Sequence, residues 1–552
     1  MQARPALTRA ARIIPIAIVV AVLGAVAVVE LRPTEQLHEV YTPTYRHVPA
    51  APPVRVTLAH LWRDLRGPAG QTFLLRTLPN QAGVLWLSLI VALLVAFDFD
   101  NLANPRNIDL LAIQAIGLCL FEIIRFLRLL QDPVYVALMD WVFSALFVLN
   151  VFLIGRAIRR LRRPAPGIWT PALGVRPLMA AACVLVVCDT AVALVREPDD
   201  VGFFVNLGAQ RLRERGAFPY GDPLLSGSPG AAYGPLLYVA HLPFQYALSP
   251  ARANADSPDL PPLGRDATYN VPQPLATKLC TIAFHLIGVA ALFLIGCELR
   301  SRQVGWALVA LYAGSPFVLG VGGDDYYIGG MTYISHIAPT AATLVAFALL
   351  GRPAAAGVAL AAAAGIGFYP AFMAPAWLGH YWDRPRSRWA FTAAFVIAGI
   401  AIAVPVLLMS RPAAGHGLIG TIVSDTFGHH TDPRHYGFSP FSFWGQRPGI
   451  RGWFVHPLVA DSSLTTPLFL MFVAGVVASF RMARRTRPHE LALLVGAIAI
   501  AASLQKIHPT GTYFAWAYPF LMIGFFAADA AVSRAQSPRR GTIEYVAHRT
   551  AS

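Results

Sequence analysis

Apolar runs long enough to cross a membrane recur along the whole of this 552-residue chain, and they constrain its fold more than any other feature. A membrane-spanning helix needs about 20 predominantly apolar residues. Of all residues, 56% are hydrophobic and 13% are charged, and the mean hydropathy is +0.53, which excludes a soluble globular enzyme, a disordered protein and a disulfide scaffold. The sequence therefore predicts an all-α polytopic membrane protein with about 14 transmembrane helices. The runs lie near 13–30, 83–97, 110–128, 134–155, 177–195, 274–296, 304–321, 337–350, 354–367, 369–382, 388–409, 464–480, 490–504 and 513–529.

Positive charge is concentrated in short clusters between these runs. The net charge is +15, from 44 basic and 29 acidic residues, and Lys278 and Lys506 are the two lysines of the chain. Arginine clusters between spans are typical of cytoplasmic loops in membrane proteins. The pattern predicts an inner-membrane protein with both termini cytoplasmic, and it disfavours nucleic acid as a partner. The clusters lie within 156–163, 300–302, 384–388, 481–487 and 534–540.

This orientation places four segments together on the outer side of the membrane. For the arginine clusters to stay inside, the segment 234–249 has to enter and leave on the outer side, as a juxtamembrane or re-entrant helix. The first run reads as an uncleaved anchor rather than a signal peptide, because its apolar stretch of about 17 residues is long for one. The outer segments are 32–82, 196–273, 322–336 and 410–463.

The apolar runs and charge clusters predict that the chain is divided into three regions. Residues 1–165 form an extra membrane region with four spans and the outer loop 32–82. Residues 166–530 form the membrane core, and residues 531–552 form a basic cytoplasmic tail.

Two adjacent carboxylates follow the run 177–195 directly. Asp199 and Asp200 come just after Pro198 and before a stretch with helical apolar spacing, in which Val201, Phe204, Val205, Gly208 and Leu212 share a face. A partly buried carboxylate at the membrane surface has a raised pKa and serves as a general base. An Asp at the start of a helix is also a favourable N-cap. The residues alone leave both interpretations open.

The order of motifs around this stretch resembles the GT-C class of membrane glycosyltransferases, most closely glycosyltransferase family 87. The resemblance covers about 176–530. It differs from the family at 365–368, which read Gly-Ile-Gly-Phe where the family often has Lys, and four spans precede the matching region. The residues that carry the resemblance are Asp200 after a span, Phe204, the small pair Gly208 and Ala209, Pro219-Tyr220, Tyr233-Gly234-Pro235-Leu236, Ser315-Pro316-Phe317 and Tyr369-Pro370.

The resemblance implies a GT-C-like helical bundle that transfers a mannose-like or other sugar with inversion. The donor would be a polyprenyl-phosphate sugar, and the acceptor an envelope glycan, glycolipid or protein at the outer leaflet. Asp200 would be the catalytic base, with Asp199 as the close alternative. No cofactor is implied.

The leaving lipid phosphate requires cations near the outer surface. Candidates are His429, His430, Arg434, Lys506 and His508. Lysine snorkelling to lipid headgroups is an alternative for Lys506. His429, His430, Asp432 and His435 include metal-ligand types, but their spacing matches no defined metal site.

Acids and aromatics in the outer segments are candidates for sugar contacts. Aromatic side chains at a membrane interface are also common as belt anchors, which is the alternative for these residues. The candidates are Tyr220, Tyr233, Asp324, Asp325, Tyr326, Tyr327 and His336.

Ionisable residues inside the runs favour a second class of protein, a transporter or lipid flippase. Glu122, Arg125, Asp140 and Asp189 are costly in lipid and should face the protein interior. Most titratable side chains lie in the outer segments instead, which favours surface chemistry. A non-catalytic GT-C-like scaffold of envelope assembly is a third possibility.

Overall fold

The protein is built almost wholly from helices. The computed structural model describes the ranges that close this paragraph, and within them the prediction of an all-α protein is confirmed at the level of fold class. The helix predicted at 13–30 lies outside the described residues, as do the cytoplasmic tail and most of the outer loop 32–82. The described residues are 81–127, 133–162, 169–196, 198, 200–222, 225, 229–248, 251–252, 270–271, 274–322, 327–413, 415–428, 465–505 and 512–527.

Helices occupy the positions of the other predicted apolar runs. Short 3-10 turns at Pro229–Ala231, Gly330–Thr332, Tyr369–Met373 and Thr512–Trp516 interrupt them, and a π turn covers Ser424–Gly428. The α-helices of the described residues are α1 (Gln81–Ala96), α2 (Pro105–Leu127), α3 (Pro133–Arg162), α4 (Val175–Val195), α5 (Asp200–Arg215), α6 (Pro235–Ala247), α7 (Pro274–Leu299), α8 (Arg302–Ala313), α9 (Pro316–Leu319), α10 (Ile334–Ala348), α11 (Pro353–Ile366), α12 (Ala374–Tyr381), α13 (Pro385–Met409), α14 (Leu418–Val423), α15 (Thr465–Met482), α16 (Pro488–Gln505) and α17 (Tyr518–Phe526).

The described residues contain two short antiparallel β-ladders, each made of two residue pairs. β1 (Ala251–Arg252) pairs with β2 (Asn270–Val271), and β3 (Val321–Gly322) pairs with β4 (Tyr327–Ile328). In the second ladder Val321 lies opposite Ile328 and Gly322 opposite Tyr327. Both are local hairpin closures and form no sheet layer.

Three of the described helices, α4, α7 and α13, are long and apolar enough to cross a membrane. With 21, 26 and 25 residues they are about 32, 39 and 38 Å long, and the hydrocarbon core is about 30 Å thick. The other apolar helices are shorter or carry more charge, so the structure establishes a helical membrane protein and does not establish fourteen spans. α6, with 13 residues and a length of about 20 Å, is too short to span.

The surfaces of these long helices are apolar where they are exposed. On α13, Ile397 is 66% exposed and Leu408 80%, and on α4, Val187 is 67% exposed. Soluble proteins rarely expose contiguous apolar areas of this kind. These faces are the ones that a bilayer would cover.

The core lies between helices that are buried all round. α16 packs between α3 and α17, and residues 491–500 of α16 are all buried. The close packing depends on glycines, since a Cβ on Gly524 would lie 2.4 Å from Cγ of Leu493. A helix that is apolar on every side is typical of the centre of a helical bundle.

Contacts between loops gather the described arginine clusters at one end of the bundle. Arg300 donates to Thr170 Oγ1 over 3.2 Å, and Arg106 lies within electrostatic reach of Arg160 and Arg300. Farther along, Tyr381 donates to the carbonyl of Leu350, and Arg484 donates to Asp383. We call this the arginine-rich end; it comprises 156–162, 298–303, 350–352, 381–388 and 481–487.

Two ion-pair groups stabilise the arginine-rich end. Fully buried Asp109, on α2, accepts hydrogen bonds from Arg156 and Arg160, the second over 2.9 Å. Asp383 accepts hydrogen bonds of 2.8 Å from both Arg485 and Arg484, which hold the pKa of its carboxyl below the ordinary value. Each pair joins segments about 50 or 100 residues apart in sequence, so the arginines position helices relative to one another.

The opposite end is defined by the start of α5. Thr277, at the start of α7, donates to the carbonyl of Gly202, and Lys278 donates to the carbonyl of Leu194 at the end of α4. The last residue of α13, Met409, accepts from the backbone N–H of Phe218. All three long helices therefore connect the arginine-rich end with this one, which we call the Asp200 end. It comprises α5 and the described residues of 216–222, 225, 229–234, 320–322, 327–336, 368–369, 410–413, 415–428 and 512–516.

Candidate functional site

The predicted catalytic base lies at the Asp200 end, where the ends of two long helices meet. α5 begins at Asp200, so the capping position falls at Asp199, which lies outside the described residues. The side chain of Asp200 also lies outside what the structure describes. Its backbone position is fixed by the 3.0 Å hydrogen bond from Thr277 Oγ1 to the carbonyl of Gly202 two residues later.

α5 is buried on more than one face. The predicted apolar face is confirmed at Val205, Gly208 and Leu212, which are all buried. Asn206 on another face is also buried, and both its backbone carbonyl and its side-chain oxygen accept hydrogen bonds from Gln245 of α6. The helix is thus held between its neighbours and does not rest on the bundle by one face.

A glycine in α5 is required by a tyrosine ring. A Cβ on Gly208 would lie 2.6 Å from Cε1 of Tyr238 and 2.9 Å from the carbonyl oxygen of Gly230. Contacts under 3.0 Å are not tolerated by real Cβ atoms. The small residue that the family resemblance requires at this position therefore has a direct steric reason.

Tyr220 and Tyr233 lie together beside α5, as part of one hydrogen-bonded group. Tyr220 is 1% exposed, and its hydroxyl donates to the carbonyl of Tyr233 over 2.6 Å. Burial raises the pKa of Tyr220 well above its ordinary value, so it stays a neutral donor. Tyr238 packs edge-on against Tyr220, and its hydroxyl donates to the carbonyl of Gly230. These bonds fix the loop between α5 and α6.

Arginines of α5 add positive charge that the sequence analysis did not select. Arg211 and Arg215 lie 3.9 and 3.7 Å from Asp222, and Arg215 is 48% exposed. The two share one helix face by their spacing of four residues. That spacing is the signal by which they were recognisable in the sequence.

A segment after α13 closes over the loop that carries Tyr220. Asp425 in the π turn is 2% exposed and accepts the backbone N–H of Gly221 over 2.8 Å. Gly221 has a positive φ of 72°, and a Cβ there would lie 1.8 Å from the carbonyl oxygen of Arg411. Asp425 is thus a positioning residue of the Asp200 end that the sequence analysis missed.

The second acidic loop is held at its base by glycines. Gly320 and Gly330 both have positive φ, and a Cβ on Gly330 would lie 2.3 Å from the backbone nitrogen of Gly320. β3 and β4 extend from this base. Tyr327 is in β4 but its side chain is not described, and Asp324, Asp325 and Tyr326 lie outside the described residues.

His336 belongs to a buried aromatic cluster. It is 1% exposed, its ring stacks on Tyr333 with centroids 4.9 Å apart, and Tyr513 meets it edge-on at 4.6 Å. Trp516 continues the cluster, because its ring stacks on Tyr369 at 3.9 Å and its Nε1–H donates to the carbonyl of Ser335. The ring of His336 therefore lies in a cluster of the protein's own aromatic side chains. These come from, or directly follow, the three 3-10 turns Gly330–Thr332, Tyr369–Met373 and Thr512–Trp516.

α10 connects this aromatic cluster to α5. Ile334 and Ala338 on one side of α10 belong to the same apolar core as Val205 of α5. His336 and Thr340, on the other side, belong to the aromatic cluster. The start of α5 and the aromatic cluster are thus parts of one assembly at the Asp200 end.

The predicted phosphate-binding cations lie outside the described residues. These are His429, His430, Arg434, Lys506 and His508, and the metal-ligand alternative of His429, His430, Asp432 and His435 shares their segment. Their flanks are described. Phe427 contacts Phe368 with ring centroids 5.0 Å apart, and Tyr513 lies in the aromatic cluster, so both segments join the Asp200 end. Within the described part of the chain, no group of three or more His, Cys, Asp or Glu residues could hold a metal ion.

Comparison of the chain with protein-family models, with curated proteins and with solved structures gives no match. The fold and the hydropathy define the class, a helical membrane protein with one arginine-rich end. What the Asp200 end does is inferred from its own chemistry.

Proposed function

We propose that the protein is a membrane glycosyltransferase that uses a polyprenyl-phosphate sugar as donor. The observation that supports this most is the position of the start of α5. Thr277 at the start of α7 donates to Gly202 of α5, and the adjacent Lys278 donates to Leu194 at the end of α4, so α5 begins beside the ends of two membrane-length helices. A carboxylate there can meet a lipid-linked substrate at the membrane surface and a polar acceptor from the aqueous side. The acceptor is an envelope glycan, glycolipid or protein.

In the proposed reaction, Asp200 accepts the proton of an acceptor hydroxyl. The acceptor oxygen attacks C1 of the sugar from the side opposite the phosphate, the bond from C1 to the phosphate oxygen breaks, and the configuration at C1 inverts. The polyprenyl phosphate leaves with the bonding electron pair, and cations at the same end stabilise its charge. Arg211 and Arg215 join His429, His430, Arg434, Lys506 and His508 as residues for that role.

The role of Asp200 is tested by exchanging its carboxylate for an amide. Asp200 is the first residue of α5, where Asn has about the same helix propensity as Asp, but an amide accepts no proton at neutral pH. Asp200→Asn should therefore leave thermal stability near wild type. A general base contributes about 10²–10⁴-fold, and transfer should fall by about that factor. The assay is sugar transfer from a polyprenyl-phosphate donor by the purified protein in nanodiscs.

Asp199→Asn is the matched variant, and Asp199→Ala controls for capping, because the capping position falls at Asp199. Asp199→Ala should lose about 1 kcal/mol of stability, whereas Asp200→Ala should lose activity. Loss of transfer in Asp199→Asn alone would move the base to Asp199. Full transfer in both Asn variants would leave the carboxylates as caps and end the proposed mechanism.

The protein class is tested separately by deleting the gene and profiling envelope lipids and glycans. A glycosyltransferase predicts accumulation of its unmodified acceptor. An unchanged envelope together with altered uptake of a solute would instead support the transporter or flippase. An envelope defect restored by Asp200→Asn and Asp199→Asn alike would support the scaffold.

A further inference from the structure

An acid and an imidazole face each other inside the membrane body, away from the site just described. Asp189 of α4 and His285 of α7 are both 0% exposed, and Oδ2 of Asp189 lies 3.1 Å from Nε2 of His285. Both belong to helices of membrane-spanning length and composition. The prediction that Asp189 faces the protein interior is confirmed.

The polar atoms of this pair are only partly satisfied by hydrogen bonds. Oδ2 of Asp189 and Nε2 of His285 are at ion-pair distance without the alignment of a full hydrogen bond, and among the described residues Oδ1 of Asp189 and Nδ1 of His285 have no hydrogen-bond partner. The hydroxyl of Tyr312, on α8, is also buried without one, and its ring stacks on His285 with centroids 5.8 Å apart and planes 18° apart. Each of these three neighbouring side chains therefore has a buried polar atom that no described residue pairs.

Burying unpaired polar atoms costs free energy unless a water or a ligand forms hydrogen bonds with them. Buried polar atoms are almost always paired with protein or with an ordered water, and ionisable groups in membrane spans are usually functional. A purely structural ion pair is expected to have well-aligned hydrogen bonds, because only good alignment offsets the desolvation of both charges. The imperfect alignment, together with an unpaired polar atom on each of three buried side chains, is typical of a titratable site and not of a purely structural ion pair.

We propose that Asp189 and His285 form a proton-binding site within the membrane body, with Tyr312 as its hydroxyl gate. The bound proton is shared between a carboxylate and an imidazole, so the pair with one proton is neutral overall. Uptake of a second proton gives the carboxylic acid with the imidazolium, and its release restores the neutral pair. Water supplies and receives these protons, and no other reactant is required.

Polar side chains lie between the pair and the Asp200 end. The hydroxyl of Tyr312 is close enough to Asp189 and to Tyr369 to interact electrostatically with both. Tyr369 and Thr340 are hydrogen-bonded over 3.2 Å, and Thr340 donates to the backbone carbonyl of His336 over 2.6 Å. The pair thus connects with the buried aromatic cluster.

Other titratable groups near the pair are few. On α4 itself, Cys188 adjoins Asp189, and α8 contributes Tyr312. α6, α10 and α5 also pack against α7, and the 3-10 turn Tyr369–Met373 packs beside α11 and α16. The titratable or charged side chains on these elements are His241, Tyr238, Tyr246, His336, Tyr369, Asp200, Arg211, Arg213, Glu214 and Arg215, and α7 itself adds Lys278, Cys280, Cys297 and Glu298.

The proposal is tested by counting protons. The full-length protein in nanodiscs is titrated between about pH 3 and pH 9, an interval that contains the ordinary aspartate and imidazole pKa values. Wild type should take up at least one proton more per molecule than the double variant Asp189→Asn with His285→Gln, whose two amides keep the shape of the pair. Thr281→Val, one turn from His285 on α7, should match wild type.

The gate is tested by Tyr312→Phe, which keeps the ring that stacks on His285. It should bind the same number of protons as wild type, with the rate of uptake after a pH jump about tenfold slower or more. Equal proton counts in wild type and the double variant would overturn the site and leave a structural pair. An unchanged rate in Tyr312→Phe would overturn the gate. Neither outcome depends on whether the protein transfers sugar.

Discussion

Gly208 is the glycine of α5 that packs against the Tyr238 ring, and this contact yields a stability prediction. Alanine normally stabilises a helix relative to glycine by about 1 kcal/mol. At Gly208 the new methyl group would lie 2.6 Å from the Tyr238 ring, and overpacking of this kind costs about 1–3 kcal/mol. Gly208→Ala should therefore lower the thermal unfolding midpoint. Gly399→Ala in α13 is the control, because a Cβ there meets nothing within 4 Å, and it should leave the midpoint unchanged or raise it. Equal midpoints for the two variants would contradict the packing.

Two aspartates at the arginine-rich end allow a buried ion pair to be compared with an exposed one. Asp109 is fully buried against Arg156 and Arg160, whereas Asp383 lies at the surface with Arg484 and Arg485. Removing one partner of a buried pair leaves an uncompensated charge and costs about 3–5 kcal/mol. Asp109→Asn should therefore destabilise the protein strongly in chemical unfolding. Asp383→Asn should have no measurable effect, and comparable losses in both would show that Asp109 is more hydrated than its burial indicates.

At the scale of elements, the buried carboxylate of Asp425 joins the segment that follows α13 to the loop that follows α5. Asp425→Ala would leave the buried N–H of Gly221 without its acceptor, at a cost of about 1–3 kcal/mol. We expect faster amide exchange throughout peptides from 410–428. Asp425→Asn keeps an acceptor oxygen and should exchange nearly as slowly as wild type. Unchanged exchange in Asp425→Ala would show that the hydrogen bond from the N–H of Arg411 to the carbonyl of Tyr220 holds the segment without it.

The elements show what the sequence could and could not predict. Apolar runs between Pro, Gly and Arg located the helices, because burial and membrane insertion both act on hydrophobicity averaged over a helix. They could not separate lipid-facing helices such as α13 from core helices such as α16, since both are apolar throughout. The link from Asp425 to Gly221 spans 204 residues of sequence, and no local pattern marks a contact of that separation.

The same limit applies to the candidate site. The helical pattern after Asp200 predicted α5 and its apolar face, since local spacing determines both. The burial of Asn206 and the aromatic surroundings of His336 arise from packing against α6 and against the turn Thr512–Trp516. Those contacts are set by the tertiary fold and leave no periodic signal in the sequence.

For the whole molecule, the two ends make a topology prediction. Each long helix joins the arginine-rich end to the Asp200 end, and clustered arginine is retained on the cytoplasmic side during insertion. Arg162 and Arg386 are exposed at the arginine-rich end, and His416 is exposed at the Asp200 end. In a cysteine-free background, Arg162→Cys and Arg386→Cys should react with a membrane-impermeant maleimide only after cell lysis, because this topology places both on the cytoplasmic side. His416→Cys should react on intact cells. Reaction of His416→Cys and Arg162→Cys from the same side would contradict this topology. Reaction of His416→Cys only after lysis would also remove the Asp200 end from the outer leaflet, where the proposed donor and acceptor meet.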